Sequence, residues 1–199
     1  MLTWEYRLAQ VISTVGSPPV VAVVAIVSMA CAAHLTMEVA SATWIWAVAY
    51  LLMAIAAPFL YLVRLVQGGV VTDLDIQQRE QRPRPLLVAI AATGAAWLML
   101  QLGGAPLPLR ALACGAWSEL ALIVVITLRW KISIHCATAA GLAILWWRVF
   151  HLSPLLAFAG VAAIAWSRVR LQRHTLAQTA GGIALGGTVY WIVLAAYLR

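Results

Sequence analysis

The residues best equipped for chemistry lie in the stretch Ser167-Arg168-Val169-Arg170-Leu171-Gln172-Arg173-His174-Thr175, which sets three arginines, a serine and a histidine between two long apolar runs. Arginines placed where a chain leaves a membrane answer to anions. The guanidinium fork matches carboxylate and phosphate oxygens, and a charge at that depth has to be paired. His174 opens one apolar run, and His135, two residues after Ser133, opens another. Taken singly, each histidine reads first as a hydrogen-bonded structural residue. As a converging pair beside arginines they have the parts of a phosphoryl-transfer site: arginines hold the phosphate oxygens, one imidazole attacks, and the other protonates the leaving oxygen. Such a scheme requires no metal and no cofactor.

The elements that must position these groups are apolar. The chain of 199 residues is 64% hydrophobic and 10% charged, with a mean hydropathy of +0.95, well above the roughly 45–50% apolar content of a soluble domain. The expectation is an integral membrane protein: an all-α, polytopic bundle of about six to seven transmembrane helices, forming a single domain over residues 1–199. A net charge of +7, from 13 basic against 6 acidic side chains, points to anionic headgroups or an anionic substrate, and no nucleic-acid module is recognisable. Cys31, Cys114 and Cys136 sit inside apolar runs without metal-ligand spacing, so inert thiols are expected rather than a disulfide framework or a zinc site. The first apolar run lacks a basic flank of the usual kind, so a cleavable signal is not expected.

Residues 1–16, with Trp4, Tyr6 and Arg7, read as a short helix on the membrane surface. After Ser17-Pro18-Pro19, apolar runs follow at 20–35 (closed by His34 and Glu38), 43–66 (interrupted near Pro58 and ended by Gly68-Gly69), 86–102, 109–128, 132–150, 154–166 and 175–198. Gly181-Gly182 and Gly186-Gly187 give the last run a smooth face for close helix approach. If every run spans, the loops at 67–85, 129–134 and 167–174 emerge on one side with most of the basic side chains, leaving Arg110, Arg148 and Arg199 on the other. The positive-inside rule places the basic side in the cytoplasm whatever its function. Glu119 lies near the middle of the fourth run, where an acid normally faces the bundle interior and pairs with a histidine, a tryptophan N–H or an arginine.

Ser167-Arg168 followed by five residues and His174 resembles SRxxxxxH, the third signature of the type 2 phosphatidic acid phosphatase superfamily, which also includes vanadium haloperoxidases. Ser133-Ile134-His135 resembles the second signature, PSGH, with Ile132 for the proline and Ile134 for the glycine. Arg82-Pro83 resembles the end of the first, KxxxxxxRP. The resemblance covers residues 75–178. It implies that His174 is the nucleophile that forms a phosphohistidine, that His135 is the acid for the departing alkoxide, and that Arg82, Arg168 and Ser133 hold the phosphate. Asp75 stands where the family has its lysine, and Lys131 or Arg79 would have to substitute. Gln178 stands where many members have an aspartate that orients the nucleophilic histidine. Two apolar runs separate the first two signatures here, whereas members commonly keep them in one loop.

The resemblance thus implies a membrane lipid phosphate phosphatase that hydrolyses a lipid phosphomonoester or a polyprenyl diphosphate without a metal, in the bacterial inner membrane. Its partners would be the lipid substrate and membrane lipids, and a homo-oligomer is compatible with it. Two other readings stand beside it. Asp73 and Asp75, with Glu80 nearby, could hold Mg²⁺ on a diphosphate as in membrane prenyltransferases. Those acids could instead pair with Arg79, Arg82 and Arg84 and order the loop. A non-catalytic protein with a decayed phosphatase site is the other reading.

Overall fold

The computed structural model describes residues 3–36 and 40–197, so the expectations placed on Glu38 and Arg199 lie outside the described residues. The described residues form nine α-helices: α1 (Trp4–Val15), α2 (Pro18–Thr36), α3 (Ala40–Leu51), α4 (Ala57–Gln67), α5 (Pro83–Leu102), α6 (Leu107–Thr127), α7 (Ile134–Phe150), α8 (Pro154–Arg170) and α9 (Leu176–Tyr197). Five stretches are long and apolar enough to cross a membrane: Pro18–Leu35, Ala42–Gln67, Pro83–Leu102, Leu107–Thr127 and Leu176–Tyr197. The apolar α7, with 17 residues, sits at the short end of what spans the hydrocarbon core. The protein is an all-α integral membrane protein. Large apolar side chains left exposed, such as Ile45, Leu60, Leu102, Val125 and Ile192, are the surface such a protein offers to lipid.

The described residues group into two compact units, Met1–Ala25 with Lys131–Arg199, and Ile26–Trp130. The first is organised on α7. Its buried positions, among them His135, Cys136, Ala137, Ala139, Ala140, Gly141 and Ala143, are mostly small, which lets neighbouring backbones close in on several sides. Helix α9 does so through Gly182 and Gly186. A Cβ on Gly182 would sit 2.5 Å from the Ser133 carbonyl oxygen, and one on Gly186 would overlap the Ala137 carbonyl, whereas Gly187 faces open space. The working motif is therefore Gly182-x-x-x-Gly186. Helix α8 packs Ala157 and Val161 against Ala139, Ala140 and Ala143.

Helix α1 rests on α8. Its exposed apolar stripe is Trp4, Leu8, Val11 and Val15, while Ala9 and Ser13 are buried. Gly16 closes against Ile164, and Glu5 pairs with Arg170 at 3.2 Å. A helix whose apolar side faces out and whose small, polar side faces protein is suited to lipid contact.

In the second unit the long run 42–67 is interrupted, as expected near Pro58, by a π-helical turn at Leu52–Ala56. Proline offers no N–H to the carbonyl four residues back and its ring crowds that turn, so the turn widens. Helix α5 begins at Pro83, earlier than the apolar run, because a proline in the first turn lacks only an N–H that has no helical partner anyway. The stacked indoles of Trp97 and Trp117, 5.1 Å apart, join α5 to α6. Gly94 leaves room for Trp117, and Gly103 leaves room for Trp46. Glu119 is buried on α6, and its Oε1 makes no hydrogen bond among the described residues. None of the partners expected for that oxygen is supplied.

Candidate functional site

The loop that carries the first set of sequence candidates belongs to the second unit. Arg82 is 2% exposed, and its Nε donates to the carbonyl of Ile76 at 2.9 Å. Ile76 has φ of +45°, a conformation unfavourable for a β-branched residue, and it is held there from both sides. Its side chain packs with Leu65 and Val71 while Arg82 grips its carbonyl. Asp73 turns back on its own loop, accepting from Asp75 N at 2.9 Å and from Thr72 Oγ1 at 3.2 Å. Gln81 Oε1 accepts from both N and Oγ1 of Thr72 at 3.0 Å. Asp73 thus orders the loop, although through main-chain and hydroxyl donors rather than through arginines. Arg84 donates to Tyr61 Oη. Arg79 pairs with Glu80 at 3.4 Å and caps α6 at the Leu128 carbonyl, also at 3.4 Å. No group of three His, Cys, Asp or Glu side chains gathers as a metal site among the described residues.

The remaining candidates, Ser133, Lys131, His135, Arg168, His174 and Gln178, all belong to the first unit. Helix α8 runs four residues past its apolar stretch, so Ser167 and Arg168 lie in its last turn rather than in a loop. Ser167 is fully buried, and its Oγ donates to the Ile164 carbonyl of its own helix at 2.7 Å. The helix then ends in a Schellman turn: Arg173 N donates to the Arg168 carbonyl at 3.0 Å, Gln172 N to the Val169 carbonyl at 2.9 Å, and His174 N to the Arg168 carbonyl at 3.3 Å. Gln172 occupies the left-handed position, with φ of +55°, where glycine is usual. Lys131 Nζ donates to the Arg173 carbonyl at 3.0 Å and ties the turn down.

Helix α9 starts immediately afterwards with a capping box. Gln178 N donates to Thr175 Oγ1 at 3.3 Å, and Thr175 N donates to Gln178 Oε1 at 3.2 Å. The same Oε1 lies 3.0 Å from His174 Nδ1. These contacts fix the imidazole tautomer. A main-chain N–H can only donate, so the atom facing Thr175 N must be the amide oxygen. That oxygen can only accept, so His174 Nδ1 must carry a hydrogen.

Across the unit, Ser133 caps α7, its Oγ accepting from Cys136 N at 3.4 Å. Its own N–H donates to the Gln178 carbonyl at 3.2 Å, which fastens the start of α7 to the first turn of α9. His135 is 5% exposed, Arg168 1% and His174 7%. Arg168 Nη1 lies 3.4 Å from His135 Nε2. Long helical side chains lean toward the helix N-terminus, so this guanidinium lies level with the body of α8 and not beyond its end. An open depression of about 440 Å³, lined by Lys131, Val169, Gln172, Arg173, His174, Thr175 and Gln178, lies over the turn.

One residue at this site had no place among the sequence candidates. Ser13 of α1 accepts a hydrogen bond of 2.6 Å from Arg168 Nη1, both groups being buried. The spacing Ala9, Ser13, Gly16, opposite the apolar stripe of α1, was the available sign of a packed face. What it would pack against could not be read from spacing. No family model, curated protein or solved structure matches the chain, so its geometry and chemistry carry the functional argument.

Proposed function

We propose that this integral membrane protein is a phosphatase that removes phosphate from a lipid phosphomonoester or diphosphate through a phosphohistidine. The observation that carries the reading is His174, buried just before α9, with Nδ1 held by Gln178 Oε1, which assigns the attack to the other ring nitrogen, Nε2. His174 Nε2 attacks phosphorus, the P–N bond forms and the P–O ester bond breaks. His135, protonated, gives its proton to the departing lipid oxygen. Water then attacks the phosphohistidine, His135 takes up a proton from it, and inorganic phosphate leaves. Arg168 supplies positive charge against the phosphoryl oxygens.

As it stands, Arg168 donates toward His135 Nε2, an arrangement suited to a neutral imidazole. A phosphate entering between them takes over the Arg168 hydrogen bond, and His135 Nε2, so released, takes up the proton of the incoming phosphate monoanion and holds it for the leaving oxygen. The membrane setting favours a lipid substrate, whose headgroup meets the polar turn while its chains remain in the bilayer. The basic residues of that turn favour a cytoplasmic site by the positive-inside rule.

The test is phosphate release from lipid phosphates by the full chain in detergent with EDTA present. The wild type is expected to turn over, His174→Ala to be inactive, and radiolabelled phosphate to be trapped on the wild type at His174. No turnover on any lipid phosphate, or full activity in His174→Ala, overturns the reading.

A further inference from the structure

Helix α1 carries a serine that behaves unlike its neighbours. A serine or threonine inside a helix usually turns its hydroxyl back onto the preceding turn, and Thr14 does so, donating to the Gln10 carbonyl at 2.9 Å. Ser167 does the same on α8. Ser13 instead meets Arg168 Nη1 across the helix interface at 2.6 Å, with only 7% of its own surface and 1% of the arginine's exposed. A hydrogen bond from a charged donor at that depth is among the stronger ones a neutral hydroxyl can accept. The same Nη1 faces His135 Nε2, so Ser13 and His135 together set the direction of one arm of the guanidinium. A further contact, Gly16 against Ile164, keeps α1 in the register with α8 that this bond requires.

We propose that Ser13 is a positioning residue for the anion site, fixing the Arg168 guanidinium beside His135 so that it is ready for a phosphoryl group. The N-terminal helix is then a working part of the site as well as a lipid-facing element. This inference rests on the phosphatase reading.

The test uses the full chain in detergent, with binding of orthovanadate and inorganic phosphate measured by calorimetry beside turnover of a lipid phosphate. Ser13→Ala suits a helix at least as well as serine does but takes an acceptor from a buried guanidinium, so its melting temperature should fall by about 2–8 °C with the fold retained. It should bind both anions about tenfold more weakly and lose about 10- to 100-fold in kcat/KM. Ser13→Thr and Ser13→Val have nearly the same shape and differ by one hydroxyl. Thr should recover much of the loss and Val none, which keeps the comparison decisive even if Ala proves unstable. Glu5→Gln removes the exposed ion pair at the other end of α1 and should leave turnover near wild type.

If Ser13→Ala and Ser13→Val bind and turn over like wild type while His174→Ala is inactive, the inference fails and the phosphatase reading survives. Equal losses in Thr and Val would show that the effect is packing, and would also overturn it. If the wild type neither binds phosphate nor hydrolyses a lipid phosphate, both fall together.

Discussion

Gln178 offers the sharpest perturbation, because one oxygen atom serves two donors. Its Oε1 closes the capping box with Thr175 N and holds His174 Nδ1. Replacing it by alanine removes both bonds. Loss of the capping interaction should destabilise the chain by about 1 kcal/mol, which for a chain of this size lowers the melting temperature by about 2–4 °C. Loss of the second bond removes the acceptor that holds the hydrogen on His174 Nδ1. At about 0.5–1.5 kcal/mol for one hydrogen bond, kcat/KM should fall by up to about tenfold.

Gln178→Glu separates the two ideas on which this depends. A carboxylate oxygen can still accept from both donors, and its charge lies at the start of α9, where the helix dipole favours an anion. That variant should melt at or above the wild-type temperature and keep at least wild-type turnover, since an anionic partner stabilises imidazolium better than a neutral one. The assays are thermal unfolding followed by tryptophan fluorescence and phosphate release from a lipid phosphate. If Gln178→Ala changes neither quantity, or if Gln178→Glu is damaged as badly as alanine, the acceptor oxygen is not what matters and the tautomer argument fails.

The other predictions concern the supports of the site. Gly186→Ala drives a methyl group into the Ala137 backbone and should destabilise the α7 and α9 pair by about 1–3 kcal/mol. Gly187→Ala, which faces open space, should be neutral or stabilising by up to about 1 kcal/mol. Equal melting temperatures for the two variants would contradict the close-packed interface. Gln172→Gly relieves a left-handed residue at φ of +55° and should raise the melting temperature by about 1–4 °C; a clear drop would show that the Gln172 side chain contributes something the backbone geometry does not.

Much of the fold was legible because hydrophobic runs in a membrane protein are long and their breaks are chemical. Pro58 announced its π-turn, Gly68 the end of α4, and Gly103 the end of α5. The boundaries drifted where polar residues are tolerated in a helix. Ser167, Arg168 and Arg170 looked like loop, yet the serine satisfies its hydroxyl within α8 and arginine is a good helix former, so the helix continued. Within the site, Thr175-Leu176-Ala177-Gln178 is a capping-box pattern that could have been read from the chain, and it explains why glutamine can stand at a position where a carboxylate was expected. Ser13 was not legible in its role, because a bond between residues 155 positions apart leaves no trace in local periodicity.

The spacing in Ser167-Arg168-x-x-x-x-x-His174 has a structural origin that is separate from any chemistry. Counting from Arg168, whose carbonyl accepts from both Arg173 and His174, the chain needs the C-terminal turn of α8, one left-handed residue at Gln172, and one residue to reverse direction. His174 then falls immediately before the Thr175 cap of α9. A shorter connection would open the Schellman turn, and a longer one would carry the histidine away from Gln178. Two helix termini, each closed by its own hydrogen bonds, therefore set the distance along the chain between an arginine and a histidine. Lys131 has a structural part in this spacing: its bond to the Arg173 carbonyl braces the turn on which that distance depends.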